Sequence, residues 1–167
     1  TAVHNAPVGR HTGDGSVPVG DSAADVVGRS VTLSALQGGI GRAANFLEID
    51  SSNADGKVAN GLVAARARDG VYLTETAGDL RLKLVDAALG DVALVTRAGS
   101  VLDARSTGGS VTDDAVVRGN SIDIQANGGS IGSSSTALGG DVEIDSSRQA
   151  TGDVGLEASV DIYLTEV

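Results

Sequence analysis

Two short acidic motifs have the residue types and the spacing that chemistry would require. Glu48-Ile-Asp50 is followed by Ser51-Ser52, and Glu143-Ile-Asp145 is followed by Ser146-Ser147. Residues two apart share a face of a β-strand, so each motif could present two carboxylates and nearby hydroxyls to a hard cation such as calcium. The competing interpretation is the solvent side of a half-buried strand whose isoleucine points inward. We therefore predict no catalytic residue and no required cofactor, and keep only weak candidates for metal ligands: Glu48, Asp50, Glu143 and Asp145.

Other acidic and glycine-rich patterns do not predict a known site. Paired carboxylates can hydrolyse glycosides, but such a site needs a cleft with aromatic platforms, and the chain has two Tyr, one Phe and no Trp. Gly38-Gly-Ile-Gly41 and Gly139-Gly-Asp-Val142 miss the spacing of a calcium-loaded nonapeptide roll. Gly128-Gly-Ser-Ile-Gly132 lacks the lysine and the helix of a phosphate loop. Glycine at tight corners explains all three motifs.

Histidine and tyrosine also favour structural interpretations. His4 and His11 are the only histidines, and no further metal ligands can be identified near them. Tyr72 and Tyr163 occur in matching sequence contexts, which predicts a packing role in preference to contact with a partner.

The elements that must position these residues are short strands. Within residues 71–104, apolar residues either alternate with polar ones or form short runs. These patterns place strand starts at Val71, Leu80, Val92 and Val101, and Gly-Asp or Gly-Ser precedes the last three. The regular spacing of these starts indicates repeat architecture. The same spacing predicts further strands near Val31, Ile40, Phe46 to Ile49, Leu62, Val111, Ile122, Ile131, Val142, Val154 and Ile162.

A second, longer period lies on top of the short one. Arg29-Ser-Val-Thr-Leu33 matches Asn120-Ser-Ile-Asp-Ile124, and Leu47-Glu-Ile-Asp-Ser-Ser52 matches Val142-Glu-Ile-Asp-Ser-Ser147. Tyr-Leu-Thr-Glu occurs at both 72–75 and 163–166. We interpret the chain as close to two copies of one unit, the second of which lacks the counterpart of 77–95. The chain is then expected to be either a part of a longer repeat array or a subunit whose ends contact those of its neighbours.

The repeat predicts an all-β fold, a right-handed parallel β-helix. Nine strand intervals separate Val31 from Ile122, and nine divides by three, which favours three strands in each coil and places matching sequence on one face. The alternative is a helix of shorter coils with two strands each. In that case the second copy of the unit is rotated by half a turn relative to the first. We divide the chain into an irregular or partial coil at 1–27, a first repeat unit at 28–118 and a second, incomplete unit at 119–167.

Composition fits such a solenoid and excludes several functions. The chain has 24 Gly and no Trp, Met or Cys, which suits a narrow stacked column of small aliphatic residues. Its net charge of −10 disfavours nucleic acid as a partner. No stretch is long enough for a membrane span, and the lack of cysteine leans towards a protein outside the cell.

The order of these motifs resembles a known class of repeat. Gly28-Arg-Ser-Val-Thr-Leu33, the stretch from Gly38 to Asp50, Val71-Tyr-Leu-Thr-Glu-Thr76 and Gly99-Ser-Val-Leu-Asp-Ala104 are similar to the tandem units of giant bacterial exoproteins of the filamentous-haemagglutinin type. The resemblance covers nearly the whole chain from about residue 28. It implies a right-handed parallel β-helix, secreted or at the cell surface, that serves as a fibrous stalk or adhesin and carries no catalytic residues.

The expected function is therefore structural: a segment of an extracellular fibre or biofilm matrix that is not an enzyme. Each coil of a β-helix presents an unpaired strand edge, so we expect copies to stack head to tail into a filament. The first alternative is an adhesive module whose loops, at 51–57 or 133–140, recognise a surface glycan or receptor. A β-helical enzyme acting on polysaccharides is a distant alternative.

Overall fold

The computed structural model describes residues 24–52, 61–105 and 114–167, and there the regular secondary structure consists almost entirely of short β-strands. One 3-10 turn, Thr136–Leu138, interrupts them, and no helix in these ranges is long or apolar enough to cross a membrane. The strands are β1 Val26–Val27, β2 Val31–Ala35, β3 Leu47–Asp50, β4 Val63–Ala67, β5 Val71–Glu75, β6 Leu80–Ala87, β7 Val92–Thr96, β8 Val101–Asp103, β9 Val117–Arg118, β10 Ile122–Ala126, β11 Val142–Asp145, β12 Val154–Ala158 and β13 Leu164–Glu166.

The strands form two parallel sheets and alternate between them along the chain. Sheet A has the order β1-β3-β5-β7-β10-β12, and sheet B has the order β13-β11-β9-β6-β4-β2. The one break in the alternation is that β8 and β9 both pair with the long strand β6, at its two ends. Each strand thus pairs with the next strand of its own sheet after a crossover through the other sheet. This arrangement fits a parallel β-helix.

The core lies between the two sheets and is a column of aliphatic side chains. In β5, Val71 and Leu73 face the core and are fully buried, as are Val92 and Leu94 at the paired positions of β7. Tyr72 lies between them on the outer face of sheet A, where its ring packs against Phe46 with centroids 5.7 Å apart. Val, Ile and Leu suit these positions because β-branched and aliphatic side chains pack well on a pleated surface.

The predicted strand positions are largely confirmed. Strands begin at Val71, Leu80, Val92 and Val101, as the alternating pattern predicts. The predictions near Val31, Leu47, Leu62, Ile122, Val142 and Val154 also correspond to strands, whereas Ile40, Ile131 and Ile162 form isolated parallel bridges. The prediction near Val111 lies outside the described residues, as does most of the segment 1–27.

The prediction that matching sequence lands on one face is wrong. Leu47–Asp50 lies in sheet A, whereas its match Val142–Asp145 lies in sheet B. Val31–Ala35 and Ile122–Ala126 are likewise divided between the sheets. Matching strands of the two copies therefore lie in different sheets, and the prediction of three strands in each coil is not confirmed. The physical reason is that positions counted as separate faces share one sheet. Ile40 bridges Val71 of sheet A, to which β3 also belongs, and β8 and β9 both pair with β6 in sheet B.

The long repeat nevertheless recurs as local structure. Ile40 bridges Val71, and its match Ile131 bridges Ile162. The glycine after each bridge residue has a positive φ, 62° at Gly41 and 71° at Gly132. There the chain leaves the sheet and approaches the backbone of Tyr72 or Tyr163 so closely that a Cβ would overlap the carbonyl oxygen.

Gly41→Ala is expected to lower the free energy of unfolding by about 2 kcal/mol or more, because alanine would combine backbone strain with overlap at Tyr72. Gly38→Ala is the matched control, since a Cβ at Gly38 meets no atom within 4 Å and its φ lies outside the left-handed region. The control should change stability by no more than about 0.5 kcal/mol. Urea unfolding of the two variants measures both values, and equal losses would contradict this account of Gly41.

Candidate functional site

The two acidic motifs lie at the ends of matching strands, and each contacts the next strand of its sheet. Glu48 and Asp50 share a face of β3, and both are almost completely buried. The nearest cation to Glu48 is Arg97, with its Nη2 4.0 Å from Oε1. Burial raises the pKa of Glu48, and the charge of Asp25 raises it further. The expectation of a solvent-facing pair is therefore wrong for this motif.

Asp50 accepts hydrogen bonds from Ser52, the second of the two serines that follow it. Its Oδ1 accepts hydrogen bonds from the Ser52 N–H at 2.9 Å and from the Ser52 hydroxyl at 2.5 Å. In the second copy, Asp145 Oδ1 accepts the same two bonds from Ser147, at 3.0 and 2.7 Å. These bonds hold the pKa of Asp145 below its ordinary value. The aspartates therefore stabilise the turn after the strand, as Asx turns do.

The first serine of each motif binds a glutamate one strand away. The Ser51 N–H donates to Glu75 at 3.1 and 3.2 Å, and its hydroxyl donates to Glu75 Oε2 at 2.6 Å. Ser146 makes the matching bonds to Glu166 Oε1, at 2.8 and 2.9 Å. A buried backbone N–H at a corner has left the ladder and needs another acceptor. The glutamate of the next strand supplies it, and we call each pair a Ser-Glu clip.

Glu75 is fully buried, in contrast to Glu166, which is exposed. Burial raises the pKa of Glu75 to about 7, although the hydrogen bonds from Ser51 and Ala77 favour its ionised form. Sequence reasoning missed both glutamates as partners of the serines. The available signal was the recurrence of Tyr-Leu-Thr-Glu downstream of each acidic motif.

Glu143 belongs to a different cluster from its match Glu48. Arg105 Nη2 contacts Asp103 at 2.7 Å and Glu143 at 3.0 Å, and both carboxylates are buried. Burial and the neighbouring Asp103 raise the pKa of Glu143 to about 7. Two buried carboxylates with one arginine form an ion-paired cluster that joins β8 to β11.

The four candidate metal ligands are not brought together. Glu48 and Asp50 lie in sheet A, and Glu143 and Asp145 lie in sheet B. Within residues 24–52, 61–105 and 114–167, no three His, Cys, Asp or Glu side chains converge on a point where a metal could bind. One carboxylate oxygen of each aspartate is already used by serine donors. His4 and His11 lie outside the described residues.

A more distinctive feature is the C-terminal edge, which consists of β12, the bridge residue Ile162 and β13. Val154 and Ile162 there are 42% and 46% exposed. Their counterparts one repeat earlier, Val63 and Val71, are completely buried because β6 and β7 stack on them. Among the described strands, β12 and β13 are paired on one side only, as β1 and β2 are at the opposite ends of the two sheets. The edge thus carries core-type side chains and open backbone groups.

Glu75→Gln is expected to change how stability depends on pH. Glu75 has a pKa of about 7 in the folded chain against 4.5 ordinarily, so the folded state holds more protons between these values. The free energy of unfolding of the unmodified chain should therefore fall as pH rises from about 4.5 to about 7, by at most about 3 kcal/mol from this group. Glutamine can keep the clip, with its carbonyl oxygen accepting from the Ser51 N–H and its amide donating to the hydroxyl.

Denaturant unfolding at several pH values across this range measures the effect. Glu75→Gln should lose less stability over the range than the unmodified chain does. Glu166→Gln is the matched control, because Glu166 makes the same bonds at an exposed position and should leave the pH dependence nearly unchanged. Identical pH profiles for the unmodified chain and Glu75→Gln would refute the assignment of a raised pKa to Glu75.

In chemical terms, the aspartates of the acidic motifs accept hydrogen bonds within their own turns, and the glutamates of the motifs pair with arginines. Searches of protein-family models, curated proteins and solved structures found no match to this chain.

Proposed function

We propose that this chain is a structural segment of a right-handed parallel β-helix that extends an extracellular bacterial fibre or stalk by stacking coil on coil. Support for the coil comes from the alternation of strands between sheets A and B. The right hand follows from the strong preference for right-handed crossovers between parallel strands of one sheet. The extracellular setting rests on the resemblance of the repeat and on the lack of cysteine.

In this proposal each coil has two strands, and its length varies through insertions. Val71 of β5 pairs with Val92 of β7 after a short crossover through β6 alone. Val92 pairs with Ile122 after a longer crossover, which contains β8, an inserted segment and then β9. Both β8 and β9 lie against β6. A short coil with optional insertions also accounts for the spacing in the sequence.

The observation that carries the proposal is the contrast between the C-terminal edge and its counterpart. Val154 and Ile162 occupy positions that are closed to solvent one repeat earlier, where a following coil covers them. Adding such a coil would bury their apolar surface and pair the open backbone groups of β12 and β13. The edge is therefore suited to receive another coil.

We propose that a second copy supplies this coil, with its β1 and β2 placed against the C-terminal edge of the first. Such a contact is heterologous, since different surfaces meet, and it propagates along the axis without closing. A parallel coil repeats along that axis at about 4.8 Å, the spacing of hydrogen-bonded strands. Stacking requires no reacting group, which agrees with carboxylates engaged in clips and ion pairs.

An adhesive module is the second candidate function. The specific observation in its favour is a basic groove on sheet B of an otherwise acidic chain, lined by Arg66, Lys83, Arg105 and Arg118. Binding there would use the face of a sheet and leave its edges free, so it is compatible with stacking.

The double variant Val154→Lys with Ile162→Lys tests the stacking proposal. Two inward-facing charges at the edge should prevent a second coil from docking while costing the folded chain little, since both positions are already half exposed. We expect filaments of the unmodified chain in electron micrographs, with axial diffraction at about 4.8 Å. The variant should remain as short particles.

Ala88→Lys with Leu89→Lys is the control, because it adds the same two charges at an exposed turn between β6 and β7, away from the edge. It should form filaments as the unmodified chain does. Stacking would be disproved by an unmodified chain that stays monomeric at high concentration, or by equal assembly of the edge variant.

A further inference from the structure

A groove with a volume of about 600 Å³ crosses the outer face of sheet B. Its lining contains four cationic side chains, small or aliphatic side chains, and Thr32 and Ser34 with their hydroxyls. We call it the basic groove. Its lining residues that matter here are Arg66, Lys83, Leu84, Arg105, Asp114 and Arg118.

An irregularity of strand β6 places two consecutive residues in this groove. Val63 pairs with Leu82 but Ala64 pairs with Leu84, so Lys83 is an extra residue in the ladder. Lys83 is exposed and Leu84 is half buried, whereas regular alternation would have turned one of them into the core. Bulges are rare between parallel strands and recur beside functional sites, where they redirect a side chain. Here the bulge adds a cation to the groove.

Three of the four cations make no hydrogen bond or ion pair with any described residue: Arg66, Lys83 and Arg118. Arg105 is the exception, since the buried carboxylates of β8 and β11 engage it. Arg118 is near enough to Asp145 for its charge to help lower the pKa of that carboxyl, but the two do not form a salt bridge. Most of the guanidinium and ammonium donors of the groove are therefore available to a ligand.

The ladder does place one carboxylate between two of these cations. Asp86 pairs with Arg66 on one side and with Arg118 on the other. Its Oδ1, however, is 2.9 Å from Arg148, which does not line the groove. Asp86 therefore already pairs with an arginine from outside the groove.

This concentration of positive charge contrasts with the rest of the chain. The whole chain has 12 Lys and Arg residues and a net charge of −10, yet four of the 12 line this one groove. Asp114 is the only acidic residue of the lining among the described residues. Charges gathered in a concave site focus the field and attract a ligand of opposite sign even when the net charge opposes it.

We propose that the basic groove binds an acidic polysaccharide through its carboxylate groups. Guanidinium groups recognise carboxylates with paired, charge-assisted hydrogen bonds, and the serine and threonine hydroxyls suit the hydroxyls of a sugar. Arg66 and Arg118 lie two strands apart, at about 10 Å along the stacking direction, so an extended ligand would run across the strands.

Two other classes of ligand fit less well. A peptide that binds by strand addition needs an open sheet edge, whereas the groove lies on a face whose backbone groups are paired in the ladder. Single-stranded nucleic acid favours aromatic platforms for its bases, and no aromatic residue of the described chain lines the groove.

Calorimetric titration with a hexameric oligogalacturonate tests the proposal, with the fully methyl-esterified oligomer as the neutral ligand of the same backbone. The acidic oligomer should bind and should weaken as salt is raised, because the contacts are charged. The neutral oligomer should bind at least about tenfold more weakly. Equal binding of the two oligomers, or no binding of the acidic one at millimolar concentration, would overturn the proposal.

Arg66→Ser with Arg118→Ser should weaken binding of the acidic oligomer by at least about tenfold. Arg29→Ser with Arg42→Ser removes the same charge from exposed positions outside the groove and should bind as the unmodified chain does. Circular dichroism of each variant confirms that it is folded. Equal loss in both variants would show a general charge effect, and tighter binding of a single-stranded oligonucleotide would show a nucleic-acid site; either result overturns the assignment.

Discussion

The structure depends on one constraint: every strand must be covered by the next strand of its sheet. The core is a column of Val, Ile, Leu and Ala with no large aromatic side chain in it, so no side chain can bury much area without neighbours above and below. Leu73 and Leu94 are closed to solvent because strands stack on both sides of them. A last strand loses half of this protection, which is why the C-terminal edge exposes side chains of core type.

The same constraint explains four of the 22 acidic residues. When the chain turns out of a strand, its backbone N–H groups lose their ladder partners and need acceptors. Asp50 and Glu75 provide them at one corner, and Asp145 and Glu166 provide them at the matching corner. Because each clip needs only the next strand of the same sheet, it works equally in sheet A and in sheet B. A motif that suggests a cation site in the sequence is thus a device for closing corners.

The sequence predicts the strands well, because side chains that alternate with a period of two report directly on which positions face a core. It predicts the path between strands poorly. Counting equal intervals assumes that each successive strand lies on a new face. In the structure β8 and β9 are separate strands, but both pair with β6, which covers Leu80 to Ala87. The Ser-Glu clip also escapes prediction, since Ser51 and Glu75 are far apart in sequence and meet only once the register of β3 against β5 is known. The bulge is visible in the sequence, because the alternation of apolar and polar residues in β6 breaks where Leu84 and Val85 follow each other.

The division between edges and faces would let one small fold serve both proposed roles. The edges of β12 and β13 are suited to another coil, whereas the basic groove lies on the face of sheet B, where the backbone is already paired. A ligand in the groove would therefore not compete with stacking. The groove occurs beside Arg105 and Asp114, where an insertion separates β8 from β9, and the simpler coil of β5 and β6 has no such insertion. In a stack of copies each subunit would present one groove, and a long polysaccharide spanning several grooves would bind with an avidity that a single weak site cannot reach.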